Sequence, residues 1–180
     1  MGLVHSMPKP IAEWPAGTPG FPVHDQLSLL FHVPGLDDKV EEDVVTRVEA
    51  LLEMANYRKT ASHIAVVDLD RLPQAKMAQA VAATDVLIAW GDVQPSLLLM
   101  LPEWGGVFQM HDSKPEHDGF LRIVSGLLRR VLAVFAPALR QPGMHGETGS
   151  LRTAKMQSGF GDVIQLVQQR RRDMAQHIVG

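Results

Sequence analysis

The stretches HIAVVDLD (63–70), VLIAWGD (86–92) and GGVFQMHD (105–112) decide the fold class of this chain. Each is a short apolar run that ends in an aspartate. Short apolar runs closed by polar or turn residues are typical of strands buried on both faces, and such strands occur in parallel sheets covered by helices. The sequence therefore predicts an α/β protein with a mostly parallel sheet.

The rest of the chain supplies the elements of a three-layer α/β/α sandwich with about four or five strands. Apolar residues at three- and four-residue steps indicate the helices, and buried apolar runs indicate the strands. The predicted elements are a strand at 26–33, a helix from 37 or 38 to 57, a strand at 63–68, a helix at 72–83, a strand from 86, a helix at 119–135 and a last helix at 160–178.

Three regions are expected along the chain. Residues 1–25 contain five prolines, which indicate an extended, irregular arm. Residues 26–139 form the α/β domain. Residues 140–180 form a loop and a two-helix C-terminal extension that packs on the same domain.

The segment PSLLLML (95–101) allows two topologies. It is either a short helix between two parallel strands or a strand that turns through PEWG into GVFQMHD as a β-hairpin. The hairpin is the better local interpretation, because the connection is a normal hairpin length and the apolar run is short for a helix. The choice decides whether the strands at 86–92 and 106–111 run parallel.

With the hairpin, the order of elements over about 26–135 resembles that of thioredoxin-like domains. Pro95 stands where that family keeps a cis-proline. The chain has no Cys-x-x-Cys motif, and about 85–93 would be an insertion. The resemblance therefore implies the binding of unfolded or partner polypeptides and not redox chemistry.

The composition excludes several kinds of site. The chain has no cysteine, which excludes Fe–S clusters, cysteine-ligated zinc and thiolate nucleophiles. A net charge of −3, from 17 basic and 20 acidic residues, predicts no binding to nucleic acid. No apolar run approaches the roughly 18 residues needed to span a bilayer, so we expect no membrane association and a cytoplasmic location.

Aspartates at predicted strand ends are the main candidates for a site. Asp68, Asp70, Asp92 and Asp112 meet at one edge if their strands are parallel neighbours. Hard cations such as Mg²⁺ prefer carboxylate oxygens, so Asp68, Asp70 and Asp92 are candidate metal ligands and candidate catalytic residues. The alternative is local: each aspartate caps a helix or opens a turn.

The paired aspartates resemble the strand ends of haloacid dehalogenase-class phosphatases and of receiver domains. In the phosphatase pattern, the second aspartate is followed by a Thr or Val and then by a small residue. This chain has Arg71 and Leu72 at those positions. A receiver carries paired acids after its first strand, where this chain has His32 and Val33. The likeness is confined to these few residues.

Two loops add further candidates. In HDSKPEHD (111–118), His111 is a candidate general base, and Asp112 and Lys114 are candidate ligand-binding residues. The loop GMHGETGS (143–150) lacks the lysine of a phosphate-binding P-loop. Its Ser150 is either a helix cap or a contact in a loop that closes over a ligand.

Two classes of function remain. The first is an enzyme or binding protein for a small phosphorylated ligand that uses the strand-end aspartates with a divalent cation. The second is a non-catalytic accessory protein that associates with itself or with another protein. We favour the second class, because every candidate site residue also has a local capping or turn role.

Overall fold

The computed structural model describes residues 26–36, 42–57, 61–111, 118–135 and 149–179, so the predicted arm at 1–25 lies outside the described residues. A 3₁₀ turn at Leu69–Arg71 follows the second strand. The elements in chain order are β1 Leu27–His32, α1 Glu42–Tyr57, β2 Ala61–Val67, α2 Gln74–Ala82, β3 Val86–Trp90, α3 Pro95–Met100, β4 Gly106–Met110, α4 Asp118–Leu127, β5 Val131–Phe135 and α5 Gly149–Val179.

All five strands form one parallel sheet in the order β2-β1-β3-β4-β5. The predicted α/β architecture with a mostly parallel sheet is therefore confirmed. The chain passes outward from β1 to β2 and then returns to β3 on the other side of β1. At such a reversal the loops that leave the two central strands diverge, and a crevice forms at their carboxyl ends.

Helices cover both faces of the sheet. The helices α1 and α5 pack on one face through residues such as Leu51, Phe160 and Val167, all of them buried. The helices α2, α3 and α4 cover the other face through residues such as Val81 and Leu98. None of the helices in the described part of the chain has the length and apolarity to cross a membrane.

The predicted β-hairpin is wrong. Residues Pro95–Met100 form a helix, and β4 runs parallel to β3. The burial of the segment follows a helical period, because Leu97, Leu98 and Leu101 are buried while Leu99 is 66% exposed. Proline is well suited to the first turn of a helix, since its missing N–H has no partner there.

The helix predicted over 119–135 is also wrong in its second half, which forms β5. The helix α4 ends at Leu127, and Arg129 takes the left-handed conformation with φ 52°. The N–H of Arg130 then donates to the carbonyl of Ser125 at 2.8 Å. An apolar stretch rich in β-branched residues fits a buried strand as well as a helix, and periodicity alone does not separate the two.

The C-terminal region forms a single long helix, α5, where the sequence predicted two helices. It packs directly on β4 and β5 because Gly106 has no side chain. A Cβ atom at Gly106 would lie 2.8 Å from Cγ2 of Val167 and 3.1 Å from Cβ of Val131. Glycine at this strand position therefore sets how closely the helix approaches the sheet.

A buried carboxylate connects four elements at the amino edge of the sheet. Asp85, which precedes β3 and is 7% exposed, accepts the backbone N–H of Ser28 at 2.7 Å and the indole N–H of Trp104 at 2.6 Å. Nη1 of Arg171 in α5 lies 3.2 Å from the same carboxylate. It also donates to the carbonyl of Gln26 at 2.9 Å. The positive charge of Arg171 thus offsets the negative charge of this buried carboxylate.

We expect Arg171→Ala to lower the free energy of unfolding by about 3 kcal/mol, because it leaves the Asp85 carboxylate buried without its cation. Urea denaturation followed by circular dichroism measures the change. The matched control is Arg172→Ala, which removes an exposed arginine from the same helix and should change stability by less than about 0.5 kcal/mol. Equal, small effects of the two substitutions would contradict this role.

Candidate functional site

The carboxyl edge of the central strands holds a row of buried polar side chains. The register pairs His32 of β1 with Ala89 of β3, and Ala89 with Gln109 of β4. His32 and Gln109 are 5% and 2% exposed. Because side chains alternate along a strand, His111 follows Gln109 on the same face of the sheet. The row lies beside the point where the strand order reverses.

Two atoms of this row have no hydrogen-bond partner among the described residues. Nε2 of Gln109 donates to the carbonyl of Gly91 at 2.9 Å, while its Oε1 is buried and unpartnered. His111 is 7% exposed, and its Nε2 is also buried and unpartnered. Buried polar atoms in proteins are nearly always hydrogen-bonded. These two atoms are unsatisfied within the described part of the chain and mark the candidate site at this edge.

The loop after β3 begins at a glycine with open space around it. Gly91 has φ 87°, and no atom lies within 4 Å of the position that a Cβ would take there. Its N–H donates to the carbonyl of Met110 at 2.8 Å, which fixes the start of the loop on β4. On the opposite face, the guanidinium of Arg47 lies 5.0 Å from the ring centroid of the half-buried Trp90.

The loop after β1 is bonded to β2 and to the turn that follows it. The N–H of Val33 donates to the carbonyl of Val67 at 2.9 Å. Pro34 has no N–H. Gly35, with φ 71°, donates its N–H to Oδ2 of Asp68 at 2.7 Å.

The carboxylate of Asp68 is hydrogen-bonded within this local structure. Its Oδ1 accepts the N–H of Asp70 at 3.1 Å, while its Oδ2 accepts Gly35 and lies 3.4 Å from Nε of Arg71. With 7% exposure, it is a buried cap of the 3₁₀ turn. Both carboxylate oxygens of Asp68 therefore already have partners, which agrees with the local capping role that the sequence also allowed for this residue.

Ligand atoms of His32, Asp68 and Asp70 lie within 4.8 Å of one another. The hydrogen bonds of His32 argue against a metal there. Its Nδ1 accepts the N–H of Leu69 at 3.1 Å, so a neutral imidazole carries its proton on Nε2 and offers no lone pair at that atom. Nε2 lies 3.8 Å from Oδ2 of Asp70, which is 61% exposed.

The other predicted site residues are spread over the molecule. Asp92 is 70% exposed, and its Oδ1 lies 4.0 Å from Nδ1 of His111 rather than beside Asp68. Ser150 lies in the first turn of α5. Asp112 and Lys114 lie outside the described residues.

Sequence reasoning missed His32 and Gln109. A signal was present, because each is a polar residue inside an apolar run whose neighbours are all buried. A polar side chain at a position buried on both faces needs a hydrogen-bonding partner. The sequence prediction instead gave the role of ligand to the strand-end aspartates, because carboxylates bind hard cations.

Comparison with known proteins shows the fold. No family model matches the chain, and no curated protein matches it. Among solved structures, an oxidoreductase from Corynebacterium diphtheriae aligns with TM-score 0.54 and 13% identity, covering 81% of this chain and 99% of that one. A diflavin flavoprotein from Nostoc sp. has TM-score 0.50 and 17% identity, covering 84% and 99%. A flavodoxin-like domain from Synechococcus sp. has TM-score 0.52 and 10% identity, covering 79% and 99%. The chain has a flavodoxin-like fold.

These neighbours overturn two predictions. The prediction of a non-catalytic accessory protein is wrong, because the similar structures are oxidoreductase and flavoprotein domains. The prediction of Mg²⁺ as the cofactor is wrong for the same reason. The physical cause of both errors is the same: the unpartnered atoms of the edge belong to Gln109 and His111, whereas the carboxylate of Asp68 is satisfied locally.

We expect Asp68→Ala to lower the free energy of unfolding by about 1–2 kcal/mol, because it removes the cap of the 3₁₀ turn. Millimolar Mg²⁺ should leave the Tm of both wild type and variant unchanged, as measured by thermal denaturation. Asp92→Ala is the control, because its side chain is exposed and should contribute less than about 0.5 kcal/mol. A rise in Tm with Mg²⁺ that disappears in Asp68→Ala would contradict this account.

Proposed function

We propose that this chain is a flavin-binding redox domain whose ligand lies at the carboxyl edge of β1, β3 and β4. The observation that carries the proposal is the pair of buried, unpartnered atoms, Oε1 of Gln109 and Nε2 of His111, beside the reversal of strand order. Flavodoxin, which has this strand order, binds FMN at the same point of the sheet. The flavoprotein from Nostoc sp. and the oxidoreductase from Corynebacterium diphtheriae support the assignment.

The side chains fit the polar edge of an isoalloxazine ring. That edge carries an N–H between two carbonyl groups, so it needs an acceptor with a donor beside it. The bond from Gln109 to the Gly91 carbonyl assigns Nε2 as the donor and leaves Oε1 as a fixed acceptor. His111 adds an imidazole nitrogen that donates or accepts according to its tautomer.

A bound flavin supplies reversible one- and two-electron transfer. The protein supplies position and environment. Gln109 is anchored in a central strand, so the acceptor it offers is held by the sheet and not by a loop. At Gly91, no atom lies within 4 Å of the position that a Cβ would take, so the loop after β3 is open at this residue. Electron transfer needs a second molecule that gives or takes the electrons. We propose that this molecule is the predicted protein partner, and that the protein acts in the cytoplasm.

Titration of riboflavin and of FMN with the protein, followed by flavin fluorescence, tests the proposal. We expect both flavins to bind the wild-type protein. Gln109→Leu and His111→Phe should each weaken binding about 5- to 150-fold, the equivalent of one lost buried hydrogen bond of about 1–3 kcal/mol.

Gln165→Leu makes the same chemical change on an exposed position of α5 and should leave the Kd unchanged. Circular dichroism confirms that each variant is folded before its Kd is compared. The absence of flavin binding by the wild-type protein would refute the proposal. So would a Gln109→Leu variant that binds flavin as tightly as the wild type.

A further inference from the structure

We infer that the end of α4 and the adjacent part of α5 form a docking surface for an acidic, partly apolar segment of a partner protein. The surface consists of Arg129, Arg130 and Arg170 with the aliphatic side chains of Ile123 and Leu127, and we call it the arginine surface. It lies at the amino edge of the sheet, whereas the flavin is proposed to bind at the carboxyl edge. The inference is therefore independent of the proposed function.

The turn between α4 and β5 presents the side chain of Arg129. This residue takes the left-handed conformation with φ 52°, which is uncommon for a residue with a long side chain. Two hydrogen bonds hold the turn. The N–H of Arg129 donates to the carbonyl of Gly126 at 3.1 Å, and the N–H of Arg130 donates to the carbonyl of Ser125 at 2.8 Å. Because Arg129 is exposed, this constrained turn places a cation on the surface.

Backbone carbonyls hold the other two arginines next to this turn. Nη2 of Arg130 donates to the carbonyl of Leu101 at 2.9 Å, and its Nε donates to the carbonyl of Leu98 at 3.4 Å. Nη1 of Arg170, which belongs to α5, donates to the carbonyl of Arg129. A carbonyl group orients a guanidinium but does not neutralise its charge. Side chains from two separate elements are thus brought together with their charges retained.

Positive charge is in excess at the arginine surface. No carboxylate among the described residues forms an ion pair with Arg129, Arg130 or Arg170. Burial lowers the pKa of Arg130; the exposed Glu103 opposes this shift, and the nearby positive charge of Arg170 adds to it. The excess is local, because the whole chain has a net charge of −3. Such a patch attracts an acidic partner and favours it over a basic one.

Exposed aliphatic side chains adjoin the arginines. Leu127 is 79% exposed and Ile123 is 62% exposed. They are four residues apart on α4, so they lie on the same face of the helix, and Leu127 comes two residues before Arg129. Exposed apolar side chains together with arginine are typical of protein interfaces. Surfaces for single-stranded nucleic acid instead carry aromatic side chains on which bases stack. The combination therefore fits a protein segment with acidic and apolar residues.

Binding of two synthetic peptides to the full chain, followed by ¹⁵N NMR spectra, tests the inference. One peptide is poly-glutamate, and the other has the same length but alternates glutamate with leucine. We expect both to shift the signals of Arg129, Arg130 and Arg170. The peptide with leucine should bind about threefold tighter or more, because it also buries Leu127. High NaCl should weaken the binding of both peptides, because it screens the attraction between opposite charges.

Matched variants test which side chains are responsible. Arg129→Gln and Arg170→Gln should each weaken poly-glutamate binding by about threefold, the scale of one exposed charge pair. Arg172→Gln removes the same charge from an exposed position of α5 that is bonded to Gln169, and should leave the Kd unchanged. Leu127→Gln should abolish the advantage of the peptide with leucine and leave poly-glutamate binding unchanged. Circular dichroism confirms that each variant is folded.

Several outcomes would overturn the inference. Equal weakening by Arg172→Gln would show general attraction between charges and not a defined surface. Tighter binding of oligothymidylate or of inorganic phosphate at the same arginines would assign the surface to another class of ligand. Self-association of the chain that Arg129→Gln abolishes, measured by analytical ultracentrifugation, would assign it to a second copy. Absence of shifts at these residues with either peptide would leave the surface without an acidic partner. None of these results would affect the proposed binding of flavin.

Discussion

The carboxylate of Asp85 is the group on which the arrangement of the central strands depends. It lies before β3 and accepts hydrogen bonds from the start of β1, from Trp104 before β4 and from Arg171 of α5. A buried carboxylate with unmet hydrogen bonds would cost several kcal/mol, so the folded state must bring all of these donors to it together. The position of three strands along one another is thereby constrained at the amino edge. That register continues to the carboxyl edge, where His32, Ala89 and Gln109 lie in one row.

The two edges of the sheet thus differ in chemistry. At the amino edge, the charges of Asp85 and Arg171 are paired and the last helix is fixed to the sheet. At the carboxyl edge, His32, Gln109 and His111 are buried polar side chains, and two of their atoms have no partner in the described part of the chain. Stability and binding therefore depend on different residues. Substitutions at Asp85 or Arg171 should act on folding, whereas substitutions at Gln109 or His111 should act on the ligand.

Much of the fold could be predicted from the sequence. The apolar runs at 63–68 and from 86 correspond to β2 and β3, and the run at 105–112 contains β4. Their lack of alternation indicated burial on both faces, which holds for β3 and β4, whereas β2 is an edge strand and is mostly only partly buried. The errors came from segments in which local preference and tertiary context disagree. PSLLLML is short for a helix in isolation, yet a crossover between two parallel strands requires one. Residues 131–135 extend an apolar stripe in the sequence, but the chain turns at Arg129 and adds a strand.

The site was less predictable than the fold for a physical reason. Aspartates are visible in a sequence because charge is rarely buried, but Asp68 uses its charge to cap a turn and to hold the loop after β1. The residues that face a ligand in this account are a glutamine and a histidine whose significance depends on burial and on missing partners. The sequence shows that these residues lie within or next to apolar runs, and it made His111 a candidate, but it does not show the missing partners, which depend on which strands become neighbours. A ¹⁵N chemical-shift map of the protein with and without riboflavin tests whether a flavin binds at the carboxyl edge of the sheet. We expect the largest changes on the amides of Gly91, Gln109 and His111, with the Trp104 indole at the amino edge unchanged. Changes centred on the amino edge or on α5, or no change at all, would contradict it.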